Sequence, residues 1–144
     1  MGKRREAREL AVQYFYQIDT SPESAGPKSL DDFWKLTDPS DTAKKFAADL
    51  ISGMQEKSKE LDALIEQYSK NWKLSRMAAV DRNIIRLALY EMHFRPDIPP
   101  VVSINEAVEI AKRYSTDESG KFVNGLLDRA RQDIKRPARE AKKE

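Results

Sequence analysis

Two helical patterns joined by a polar corner, between Ser103 and Ala130, constrain this chain more than any other stretch of it. Ile104, Ala107, Val108, Ala111 and Tyr114 recur at spacings of three and four, which puts them on one stripe of a helix. Ser103 stands three residues before Glu106, a capping-box pattern that predicts the helix start at Ser103. Glu109 and Arg113 are spaced to pair across one turn on the wetter side. The run from Ser115 to Gly120 then breaks the pattern. Thr116 or Asp117 can cap a second helix whose buried face is Val123, Leu126, Leu127, Ala130 and Ile134. Asn124 and Gly125 are poor helix formers inside it, and Gly costs about 1 kcal/mol relative to Ala. Either a neighbouring helix packs closely there, or the segment walls a groove with Lys121 and Phe122 facing outward.

The rest of the chain repeats the helical period. Ala7, Leu10, Ala11, Tyr14, Phe15 and Ile18 form a stripe on a helix over 3–19. Its start carries Lys3, Arg4, Arg5 and Arg8 at the positive end of the helix dipole, where each cation is disfavoured by about 0.3–1 kcal/mol. Such an arrangement suits a phosphate chain better than it suits stability. Thr20 to Lys28 reads as a loop, and a short helix over 29–36 buries Leu30, Phe33 and Trp34. From Asp41 to Trp72 runs the longest pattern, with Gly53 and the polar run Gln55–Glu60 as the place for a bend or break. Ala78–Phe94 is apolar around most of its circumference, so it predicts a central, buried helix with Asp81 in its first turn. Pro96, Pro99 and Pro100 predict an extended connector into Ser103.

One all-α domain of six or seven helices over 1–136 follows, with a basic, disordered tail over 137–144. A chain of 144 residues can bury such a core without staples. There are no cysteines, so disulfides and thiolate metal sites are excluded, and His93 is the single histidine. No apolar run approaches the roughly 20 residues of a membrane helix, which predicts a cytoplasmic protein. No phosphate loop, dinucleotide fingerprint, zinc spacing or nucleophile elbow is present, so neither a cofactor nor an enzymatic activity is expected. The net charge of +2 conceals a polarity: residues 1–8 carry +3, residues 129–144 carry +4, and the body between carries −5. That distribution suits an anionic polymer at one region and a basic protein at another.

Three stretches, RREARELAVQYFYQ, RNIIRLALYEM and INEAVEIAKRYSTDESGKFVNGLLDRA, resemble in order the signature segments of the NusB family of bacterial transcription antitermination factors. The resemblance implies a protein that binds boxA-type single-stranded RNA of ribosomal RNA leaders. It would do so together with NusE, also a small-subunit ribosomal protein, within the transcription elongation complex. It further implies RNA contacts at Lys3, Arg4, Arg5 and Arg8 and, in the turn before the last helix, at Glu118, Lys121 and Phe122. Asp81 matches an acidic position that meets NusE. Glu6 departs from the family pattern, where a base is common, which predicts weaker affinity or an altered register. Family members include monomers and homodimers. Two rival readings differ in class: a purely structural protein-interaction module, and a helix-turn-helix DNA binder built on Ser103–Ala130, against which Glu118 counts because it would face phosphate.

Overall fold

The computed structural model describes residues 2–69 and 74–134, the Ser75 side chain excepted, so the expected tail over 137–144 lies outside the described residues, as does Trp72. Among them run seven α-helices: α1 (Lys3–Thr20), α2 (Ser29–Thr37), α3 (Asp41–Glu56), α4 (Ser58–Tyr68), α5 (Ala79–Phe94), α6 (Pro100–Tyr114) and α7 (Asp117–Gln132). Short 3-10 turns occupy Pro22–Ser24 and Leu74–Arg76. The fold is all-α, and α5 is its spine: Ile84, Ile85, Leu87, Ala88, Leu89 and Met92 are all buried. Around it pack α1, α6 and α7, with α3 and α4 completing the core.

The longest pattern divides into two helices within the polar run where a bend or break was expected. α3 ends at Glu56 and α4 begins at Ser58, with Lys57 between them donating its backbone N–H to the Gly53 carbonyl at 3.0 Å. Apolar side chains explain both halves and the break. Ala47, Leu50, Ile51 and Met54 bury on one side of it, and Leu61, Ile65 and Tyr68 on the other, while the residues between are polar and none of them is buried. Gly53 is where backbone must be bare: a Cβ there would stand 1.9 Å from the Tyr90 hydroxyl of α5. At the far end of α4 the Tyr68 hydroxyl donates to Asp133, and Arg129 donates twice to the Tyr68 carbonyl, tying α4 to α7. Burial first, then that hydrogen bond and the Asp133 charge, push the phenol up to about 12.

Helix α6 corrects three expectations. It begins at Pro100, in place of an extended connector, because proline is tolerated at the first helical position. Ser103 therefore lies a turn inside the helix and forms no capping box; its hydroxyl is buried and donates to Glu91 at 2.7 Å. Glu106 accepts from α1 instead, as described below, and Arg113 pairs with Glu9 of α1 at 3.1 Å where Glu109 was expected. At the corner the sequence reading holds: the Thr116 hydroxyl accepts from the Ser119 amide at 3.0 Å and caps α7. Close packing is found at Gly120, where a Cβ would come within 3.1 Å of Lys112, whereas at Gly125 it would meet only an arginine tip at 3.7 Å. Gly125 thus has no packing reason among the described residues.

Candidate nucleic-acid interface

The basic start of α1 divides into two pairs. Arg8 is 3% exposed, and its guanidinium grips Glu91 of α5 through two hydrogen bonds of 2.7 and 3.1 Å. Arg5 forms a second fork on Glu106 of α6, with Nε 2.9 Å from Oε1, and Arg8 touches the same oxygen at 3.5 Å. Hydrogen bonds from Arg5 hold the Glu106 carboxyl below its ordinary range, the charges of Arg5 and Arg8 adding to the effect against the cost of burial. A depressed carboxylate contributes stability that is whole above the unfolded pKa of about 4.3 and is lost as pH falls through the lower folded value. These two arginines lock α1 onto α5 and α6. Buried and paired, Arg8 has no surface to offer a phosphate, which departs from the expected row of four contacts.

Lys3 and Arg4 are exposed. Among the described residues Lys3 has a loose partner, Glu6, at 3.8 Å, so that acid partly neutralises the first base. Arg4 makes no ion pair with a described residue and lies over the Phe46 ring of α3, 4.8 Å from its centroid. Two further guanidinium groups share that ring, Arg8 at 5.7 Å and Arg95 at 5.2 Å. Sequence periodicity passed over Phe46, because it falls one residue before the buried stripe of α3. A large aromatic flanking a stripe beside Lys44 and Lys45 was the available signal.

The second cluster stands at the other end of α5. Glu118 and Lys121 are exposed on the first turn of α7 and pair with each other at 3.5 Å. Phe122 is half-buried against the core and lines an open cavity of about 290 Å³ together with Arg76, Met77, Asp81, Glu118 and Ser119. Asp81 was assigned to a protein partner on sequence grounds, but the fold sets it beside Phe122 in this cavity. It is 9% exposed; one carboxylate oxygen accepts from the Ser119 hydroxyl at 3.0 Å, and the other is buried with no partner among the described residues. A buried acceptor left unmade costs about 1–3 kcal/mol, which a donor arriving from outside would relieve. Val80 lines a separate groove of about 280 Å³ with Glu9, Val12, Gln13, Tyr16 and Tyr114, the two tyrosines being 45% and 42% exposed.

Asp81 and Glu91 are ten residues apart on one helix, so the two clusters are separated by about 15 Å along α5. The seam between α1 and α6 connects them. Arg5 meets Glu106 and Glu9 meets Arg113 and Tyr114, so both helices advance together from the basic start toward the corner. Among the described residues no group of histidine, cysteine and carboxylate side chains could hold a metal ion, and no helix is long and apolar enough to cross a membrane.

The fold places the chain in an all-helical class that includes transcription antitermination factors. It superposes on T. maritima NusB with a TM-score of 0.81 at 41% identity, covering 90% of this chain and 91% of that one. It matches equally, at a TM-score of 0.81 and 25% identity over 92% and 98% of the two chains, a crystal structure of the antitermination factors NusB and NusE in complex with dsRNA. The chain belongs to the NusB family, whose model matches residues 5–132. The transcription antitermination protein NusB of Myxococcus xanthus is 44% identical over 95% of this chain and all of its own length, and that of Desulfatibacillum aliphaticivorans is 50% identical over 89% of each.

Proposed function

We propose that this protein binds boxA-type single-stranded RNA of ribosomal RNA leaders together with NusE and so supports processive transcription, without catalysing a reaction itself. The observation that carries the reading is the unequal fate of the four bases at the start of α1. Arg5 and Arg8 are held by Glu106 and Glu91, while Lys3 and Arg4 stay exposed, Lys3 with a loose partner in Glu6 at 3.8 Å and Arg4 without an ion pair among the described residues. The inner pair fixes the helix; the outer pair meets phosphate. Toward the other end of α5, beside Asp81, Phe122 gives an unpaired base a ring to stack on, with Lys121 and Glu118 at the rim, so a strand of several nucleotides is needed to reach both.

NusE docks beside this path. The unsatisfied Asp81 oxygen takes a donor from it, and the tyrosine-lined groove at Val80 accepts an apolar segment. The acidic body of the chain suits a basic partner. Support for the pairing comes from the solved relative in which NusB and NusE are bound to RNA. Because that complex holds dsRNA, the test carries both forms. Purified protein is titrated with a boxA-type RNA as a single strand and as a duplex, with and without NusE. Preferential binding of the single strand, tightened by NusE, is expected; equal binding of duplex, or indifference to NusE, would contradict the reading.

A further inference from the structure

A groove of about 300 Å³ opens between the starts of α1 and α3, lined by Lys3, Arg4, Thr42, Lys45, Phe46 and Asp49. Its charge is positive, three cations against one carboxylate. Of the three guanidinium groups on the Phe46 ring, Arg8 is fixed by Glu91, and Arg95 by a fork on Asp97 with two bonds of 3.0 Å. Arg4 is oriented by the ring but makes no ion pair with a described residue. Lys45 is exposed and likewise unpaired among the described residues. Its neighbour Lys44 lies instead over Trp34, at 5.8 Å, and leaves the groove to Lys45. Thr42 adds a hydroxyl from the first turn of α3, where the dipole also favours an anion.

We propose that this groove is a backbone subsite that carries the RNA past the start of α1 and onto α3, with Lys45 and Arg4 contacting phosphate and Phe46 holding Arg4 in place. The inference rests on the RNA-binding reading and extends it. Charge and continuity select the occupant: the groove repels a basic protein, and two of its cations, Lys3 and Arg4, already belong to the proposed RNA path. A strand leaving the helix start in that direction meets Lys45 next. The site is sequence-blind, since charge and a ring-held guanidinium read phosphate and not base edges.

Two single-stranded RNAs test it, one limited to the boxA-type element and one lengthened by several nucleotides at each end, titrated into the full chain at several salt concentrations. For the natural protein the longer RNA is expected to bind about threefold more tightly, with a salt slope steeper by about 0.7, the share of one phosphate contact on a single strand. In Lys45→Ala both gains disappear while the short RNA binds as before and the circular dichroism is unchanged. An undiminished gain in Lys45→Ala, or no gain in the natural protein, overturns the subsite and leaves the RNA reading standing. If Lys45→Ala weakens NusE binding and not RNA binding, the groove is a protein surface and the proposal is likewise overturned. Failure of the natural protein to bind either RNA removes the underlying reading, and the subsite with it.

Discussion

Arg8→Ala lowers the stability of this protein by about 3–5 kcal/mol, the usual cost of breaking a buried ion pair from one side. The cost arises on the partner. Glu91 is 1% exposed and would keep the Ser103 hydroxyl as a donor while losing both guanidinium bonds, so a carboxylate is left in the core uncompensated. Denaturant titration should show the midpoint collapse. Replacing both partners, as in Arg8→Met with Glu91→Leu, should recover most of it, because apolar side chains of similar volume often match a buried pair. RNA affinity of the double variant separates the roles of Arg8. Retained affinity is expected of a residue that locks α1 in place; a loss as large as that from removing an exposed base would mean that Arg8 reaches phosphate after all.

Phe122→Ala weakens single-stranded RNA binding by about 1–3 kcal/mol, roughly 5- to 150-fold, if a base stacks on the ring. Stacking carries no net charge. The salt dependence should therefore keep its slope while the whole line drops, and no cation replacement shares that signature. Part of the ring packs against the core, so the variant is also less stable, and affinity must be read where circular dichroism shows it folded. Phe122→Tyr keeps the ring and should bind close to the natural protein. If the alanine and tyrosine variants bind alike, the corner does not stack a base.

Much of this architecture is legible in the sequence, for a physical reason. A helix that must bury one stripe writes its period into the chain, so α1, α5 and α7 were found within a few residues of their ends, and the Thr116 cap within one. What period cannot show is a side chain's partner far along the chain. Ser103 and Glu106 have the spacing of a cap, but Glu91 and Arg5 claim them from other helices. Arg8 reads as a misplaced surface cation until Glu91, 83 residues later, neutralises it. Gly125 and Gly120 look alike in sequence; only the approach of Lys112 distinguishes them. For the site, Lys3, Arg4, Lys121 and Glu118 are exposed, as the period of their helices allows, whereas the Phe46 platform brings arginines from two separate segments, α1 and the end of α5, to one ring and leaves no local pattern.

The central claim is the division of labour at the start of α1, and the salt dependence of RNA affinity tests it most directly. Binding of single-stranded boxA-type RNA is measured over a salt series for the natural protein and for Lys3→Ala combined with Arg4→Ala, both residues being exposed. Removing two phosphate contacts should weaken binding throughout and reduce the slope of log affinity against log salt by about 1.4, twice the value for one contact on a single strand. An unchanged slope, with the protein folded and binding as before, would contradict the account.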